Sequence, residues 1–303
     1  MFCPRHIFPK QRSLGHISDE MKDILLDRIE EYPDLVKVHL VGLGEPLCYP
    51  KVFEFLEELR ERKPSARIII SSNCILLNEE NTRRILDIGV WKLKLSLNLP
   101  TRALHKKYTR TDTYDLVKEN IHRVLKMRKK GMPFIEIRLM KWDETSPYIM
   151  DELKFWGPHL KHGAKSNDFI HVTRLENWMG GLDVKALGMR FLTHEEVLER
   201  GWFINCGDLS TDIIVITKEG NLFPCCESIM LSQDDNFNLG NIKDHSIMEL
   251  TQKALEFKLY LKGTRPDRCL ACTKTMIAQD VDWSLAPDFI TGQVYAKEDV
   301  EKL

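Results

Sequence analysis

Trp91-Lys92-Leu93-Lys94-Leu95-Ser96-Leu97-Asn98 is the stretch that decides the fold. Successive side chains of a strand point to opposite faces. Lys92, Lys94, Ser96 and Asn98 therefore share one face, and Leu93, Leu95 and Leu97 the other. The same alternation recurs at 134–140, with Glu136 and Arg138 set against Ile135, Ile137 and Leu139. Further extended runs fall at 36–41, 67–72 and 169–175. Amphipathic segments at 18–32, 51–62, 78–88, 114–130 and 148–160 lie around and between the runs. Repeated β-α order predicts a parallel sheet with right-handed crossovers. An open doubly wound sheet is covered on both faces and reads as continuous apolar runs. One polar face favours instead a wide or incomplete barrel with a wet, ligand-holding interior and its aliphatic side under the helices. A half-exposed sheet is the competing reading.

Composition narrows the function classes. The 303 residues are 43% hydrophobic, enough for a packed core. With 44 Lys and Arg against 45 Asp and Glu, no global field recruits nucleic acid or an anionic membrane. The basic run at 126–130 has helical spacing and reads as a solvated face. No apolar stretch reaches the ~20 residues of a membrane span, and no secretory segment follows Met1, so a cytoplasmic protein is expected. Eight cysteines in a chain of this size suit a reducing compartment better than a disulfide framework. Cys48 and Cys74 read as buried thiols.

The pattern changes near residue 192. Segments 212–217 and 221–224 flank Lys218-Glu219-Gly220 as a hairpin, a helix is predicted over 246–262, and Cys269-Leu270-Ala271-Cys272 follows. Cys206, Cys225, Cys269 and Cys272 form a candidate thiolate quartet, the ligand set of a structural zinc or an iron-sulfur cluster. Cys226 adjoins Cys225 in an extended segment, so it is expected to point away from that centre. Two domains are expected, 1–191 and 192–303.

Phe2-Cys3-Pro4-Arg5, and Gly42-Leu43-Gly44-Glu45-Pro46 after a strand, resemble the radical S-adenosylmethionine (SAM) enzymes. The resemblance implies an α/β fold: a partial (β/α)6 TIM-like barrel, here lacking its first strand, plus a small cysteine-anchored α+β C-terminal domain. It makes Cys3 the third ligand of a CxxxCxxC-bound catalytic 4Fe-4S cluster and places Phe2 near the adenine of SAM. The other two cysteines do not occur in the given sequence. The ligand set is thus incomplete, and a misassigned start or a fragment is expected. In the resembled family the loop holding Gly44, Glu45 and Pro46 approaches SAM, with the Glu45 carboxylate accepting from its ammonium group. Ser71, Asn73 and Ser96 would contact its ribose and methionine, and Arg110 its carboxylate. Arg138, His171 and Thr173 project by alternation toward the same interior and are candidates for substrate contact.

The second half is similar to the twitch or SPASM group of that family. Gly220 precedes Cys225 by four intervening residues, and Leu239-Gly240-Asn241-Ile242 leads through Ser246-Ile247-Met248-Glu249-Leu250 into the helix before the CxxC. With Cys206, Cys225, Cys269 and Cys272 as ligands, one auxiliary 4Fe-4S cluster is implied. The implied activity is an oxidoreductase using a 5'-deoxyadenosyl radical to abstract hydrogen. Its substrate would be a small alcohol or sugar, or a peptide undergoing modification, and a flavodoxin or ferredoxin would supply electrons. The alternative is a degenerate or truncated, non-catalytic protein binding an iron-sulfur cluster or zinc.

Overall fold

The computed structural model describes residues 14–33, 35, 37–42, 44–161, 168–175, 182–183, 185–187, 199, 206, 213–231, 237–264, 269, 272 and 292–295. The chain divides into two compact units that do not follow chain order. One comprises Leu35–Leu175 with Gly292–Leu303, the other Phe2–Asp34 with Glu176–Thr291.

In the first unit, β1 (Lys37–Leu40), β2 (Arg67–Ser72), β3 (Lys92–Asn98), β4 (Phe134–Lys141) and β5 (Phe169–Arg174) lie side by side in chain order, all parallel. Between them run α2 (Val52–Arg62), α3 (Glu79–Ile88), α4 (Arg102–Thr109), α5 (Tyr114–Met127) and α6 (Ser146–Trp156). The expected strands are present, with ends shifted by a residue or so. Sequence reasoning did not find β8 (Gly292–Tyr295), which pairs antiparallel with β5 on the far edge.

The two faces of the sheet separate as the alternation requires. Ile68, Ile70, Leu93, Leu95, Leu97, Ile135, Ile137, Leu139 and Ile170 are fully buried or nearly so. Against an aliphatic layer of this kind a helix must bring an apolar stripe. Phe53, Leu56 and Leu59 of α2, Val117, Ile121 and Val124 of α5, and Leu153 and Trp156 of α6 are likewise buried. Lys92, Lys94, Ser96 and Asn98 are only half-buried. Turn chemistry fixes where the helices start and stop. Asn78 accepts from Asn81 N (2.8 Å) to open α3, Gly89 closes it in the left-handed region (φ 74°), and Thr101 accepts from Leu104 N (3.2 Å) to open α4.

A buried ion pair closes the base of the sheet. Arg128, just after α5, donates through both terminal nitrogens to Asp168, just before β5 (2.9 and 2.6 Å); the side chains are 1% and 0% exposed. Asp168 also accepts from Ile135 N (2.8 Å) and Lys161 N (2.9 Å), so each carboxylate oxygen takes two bonds. Such saturation is what makes a buried carboxylate tolerable.

In the second unit, β6 (Val215–Ile216) and β7 (Leu222–Phe223) form the expected hairpin, and α7 (Ile247–Thr264) the expected helix. Helix α1 (Asp19–Glu31) belongs to this unit: Arg28 Nε donates to Ile242 O (3.1 Å) and Lys243 Nζ pairs with Glu20 (2.7 Å).

Asp168→Ala should lower the unfolding free energy by about 3–5 kcal/mol, because Arg128 then stays buried without a counter-charge. Urea denaturation measures it. A loss below about 1 kcal/mol, the range of an exposed pair, would show that this bond does not hold the base of the sheet.

Candidate functional site

Parallel strands deliver their C-terminal ends to one side of the sheet, and there Glu45 and Asn73 meet. Glu45 follows β1 and caps a short 3-10 turn, Pro46–Cys48, with Oε1 accepting from Leu47 N (3.3 Å) and Oε2 from Asn73 N (2.6 Å) just past β2. One carboxylate thus ties two strand ends together. Its bidentate oxygens offer about four acceptor positions, so room remains for an ammonium donor. Burial pushes the Glu45 pKa up, against the pull of the bonds from Asn73, Ser72 and Leu47. A Cβ built on Gly44 meets nothing within 4 Å, which leaves the approach to this loop open.

Ser71 shares a hydrogen bond with His39 Nε2 (2.8 Å). Asn73 Oδ1 accepts from Ile75 N (3.0 Å), shaping the turn after β2. Ser96 stands opposite Arg138 in the β3–β4 register, immediately before an irregularity in which Asn98 adopts a left-handed backbone (φ 61°). Bulges of this sort re-aim side chains at strand ends. Arg110 caps α4 in the left-handed region, exposed to solvent. Phe2 and Cys3 lie outside the described residues.

Two supports for this loop were not found by sequence reasoning. Asn120, buried on α5, donates to Cys74 O (2.7 Å) and Ile75 O (3.1 Å), and Arg123 donates to Leu77 O (3.1 Å). A polar residue at a core position of an otherwise amphipathic helix was the available signal. Cys74 is fully buried as expected. Burial, followed by the nearby Glu45 charge, raises its thiol pKa well above the ordinary value. Cys48 is instead exposed, because it ends the 3-10 turn on the open side of the loop.

Lower on the same face, Glu136 gathers charge from three strands. Its carboxylate, 4% exposed, lies 3.3 Å from His171 Nδ1, 3.5 Å from Lys94 Nζ and 3.6 Å from Arg138 Nε. Burial alone would raise its pKa; the His171 bond and the charges of Lys94 and Arg138 hold it down to about 2. His39, at the neighbouring edge strand, is lowered to about 3 by burial and then by Lys94. The residue itself is exposed to solvent and its Nε2 meets Ser71. Alternation along β1 could have flagged His39.

The second unit explains its own glycines. Gly220 (φ 85°) turns the hairpin, donating to Thr217 O (2.9 Å), and a Cβ there would meet Met21 Sδ at 2.7 Å and Asn241 Oδ1 at 2.8 Å. Gly240 (φ 133°) lies against Leu250, where a Cβ would meet Cδ2 at 2.9 Å. Leu222 exchanges backbone bonds with Leu239 and Gly240 (2.9 Å each), so the Leu239–Ile242 stretch docks on β7. Ser246 and Glu249 form a reciprocal cap at the start of α7: Ser246 N donates to Glu249 Oε2 (2.9 Å) and Glu249 N to Ser246 Oγ (3.2 Å).

Beyond α7, Cys272 N donates to Cys269 O (3.2 Å), closing the CxxC turn. Burial, and next the neighbouring Cys206, pushes the Cys269 thiol up to about 11, so these two sulfurs share an environment that disfavours negative charge. A cationic iron centre relieves that penalty, and the donor set fits such a centre. Cys225 and Cys226 are both half-buried just past β7. The described cysteines form no disulfide with one another. Among the described residues no three His, Cys, Asp or Glu side chains are drawn together tightly enough for a single metal ion. A cubane, held at its corners, needs its thiolates spread wider than bonds of ~2.3 Å to one zinc allow.

Residues 1–141 match the family model of the radical SAM superfamily, and residues 206–273 match SPASM, an iron-sulfur cluster-binding domain. The chain is 30% identical, over 295 residues, to a tungsten-containing aldehyde ferredoxin oxidoreductase cofactor-modifying protein of Pyrococcus furiosus, covering 85% of this chain and 81% of that protein. Solved structures share the fold. BtrN in complex with AdoMet and 2-DOIA superposes with a TM-score of 0.58 (18% identity, 89% of this chain, 85% of that chain). SuiB of Streptococcus suis bound to precursor peptide SuiA superposes with a TM-score of 0.57 (13% identity, 99% and 73%). The chain therefore belongs to the radical SAM superfamily and carries a C-terminal SPASM iron-sulfur cluster-binding domain.

Proposed function

We propose that the protein is a radical SAM oxidoreductase that removes a hydrogen atom from a small-molecule substrate. The observation that carries this reading is the convergence of Glu45, Ser71, Asn73 and Ser96 at the C-terminal ends of consecutive parallel strands. Glu45 receives the SAM ammonium on the carboxylate capacity left over from Leu47 and Asn73, with Gly44 and Pro46 shaping the loop around it. Ser71, Asn73 and Ser96 offer hydroxyl and amide groups to the ribose and methionine. Arg110 presents a guanidinium fork to the carboxylate, and Phe2 an aromatic face to the adenine. When bound, an open-iron 4Fe-4S cluster with Cys3 as one ligand supplies the electron that cleaves SAM to methionine and a 5'-deoxyadenosyl radical. The role of this chain's residues is to orient SAM and exclude water.

Cys206, Cys225, Cys269 and Cys272 hold one auxiliary 4Fe-4S cluster in the 192–303 domain, while 1–191 forms the radical domain. A flavodoxin or ferredoxin is the proposed electron donor. The description of the Pyrococcus furiosus relative as a cofactor-modifying protein supports a small-molecule substrate. The peptide bound to SuiB keeps peptide modification as the second reading. No helix among the described residues is long and apolar enough to cross a membrane, and we propose a cytoplasmic location.

Glu45→Gln should weaken SAM binding about tenfold, because a charge-assisted bond becomes a neutral one. Calorimetric titration reads it, and unchanged affinity would move the ammonium site elsewhere. For the auxiliary domain, anaerobic reconstitution should load about four irons with matching sulfide at this site. Cys269→Ala abolishes that loading and Cys226→Ala preserves it. Stoichiometric zinc without sulfide would contradict the assignment.

A further inference from the structure

The polar face of the sheet carries more positive charge than SAM binding explains. Three cations, Lys92, Lys94 and Arg138, face one carboxylate, Glu136, with His39 and His171 beside them. Lys92 lies deepest, its ammonium over the Phe169 ring at 4.7 Å. Lys94 and Arg138 stand higher, 25% and 29% exposed, each turned partly toward Glu136 and partly toward water. Glu136 spans them at 3.5 and 3.6 Å, distances of attraction rather than of saturated hydrogen bonding. Among the described residues, Arg138 Nε is a buried donor with no hydrogen-bond acceptor, and His171 Nε2, on the ring face turned away from Glu136, is buried with no hydrogen-bond partner. A buried donor left unsatisfied costs about 1–3 kcal/mol. A recess that gathers cations and an unsatisfied guanidinium donor around a single carboxylate is arranged for an anion.

We propose that this cluster binds the substrate through an anionic oxygen-bearing group, a carboxylate or phosphoryl, received by Lys94 and Arg138. The proposal rests on the radical SAM reading only in calling the bound molecule the substrate. Glu136 acts as a positioning residue: it holds the cations in place and limits how strongly they draw an anion.

The test is calorimetric titration of the full chain with inorganic pyrophosphate, citrate and neutral sorbitol, with SAM titrated separately. Saturable binding of pyrophosphate or citrate, weakened about tenfold by Arg138→Gln and recovered in part by Arg138→Lys, supports the site, and sorbitol should not bind. Which of the two anions binds more tightly distinguishes phosphoryl from carboxylate chemistry. Glu136→Gln should tighten anion binding several-fold, a change that misfolding cannot mimic. Absence of saturable anion binding, or affinity unchanged in Arg138→Gln, overturns the proposal. So does a tenfold loss of SAM affinity in Arg138→Gln, since the cluster would then serve the SAM carboxylate. Anion binding by a wild-type chain that fails to bind SAM supports the anion site and counts against Glu45 and its neighbours as the SAM site instead.

Discussion

Glu136 sits on the wet side of a sheet whose dry side is aliphatic, and the geometry of the first unit depends on keeping those sides apart. Its carboxylate makes Lys94, Arg138 and His171, from three adjacent strands, compatible neighbours in a half-buried recess. A slip of one residue in any strand would place a lysine or arginine under the helices and a leucine in the recess. The register Lys94↔Glu136 and Arg138↔His171 is therefore doubly specified, by the leucines below and the charges above. With the register fixed, the strand ends fall at one level, and Glu45 can reach Asn73 across them.

The base of the same sheet is fixed by different chemistry. Arg128 donates to Asp168 through both terminal nitrogens in the core, and two backbone donors complete the carboxylate. The loops at the opposite end carry Glu45 and Asn73, the proposed SAM contacts, and the loop after β2 is supported from behind by Asn120 and Arg123 of α5. Rigid scaffold and permissive site are thus divided between the two ends of the strands.

Period and turn chemistry made most of the fold legible. Alternation at 91–98 separated the two faces correctly, and the helical segment read over 78–88 and the turn read at Gly220 match the structure. Non-local pairing was not legible. Strand β8 is four residues whose partner lies more than a hundred positions earlier in the chain. The amphipathic pattern of α1 announced a buried face but not its cover, which in its own unit includes the carbonyl of Ile242 and the turn at Gly220. At the site, Glu45 and Ser96 were visible as motif residues because their backbone context is local. His39, Asn120 and the central position of Glu136 arise from packing across strands and helices that no single segment encodes.

5'-Deoxyadenosine is the product that most directly tests the central claim. Protein in which Cys3 completes a Cys-x3-Cys-x2-Cys triad should, after anaerobic reconstitution and reduction with dithionite, convert SAM into 5'-deoxyadenosine and methionine in equal amounts, resolved by chromatography. Tight SAM binding without either product under those conditions would contradict a radical mechanism and leave the strand-end site as a binding site alone.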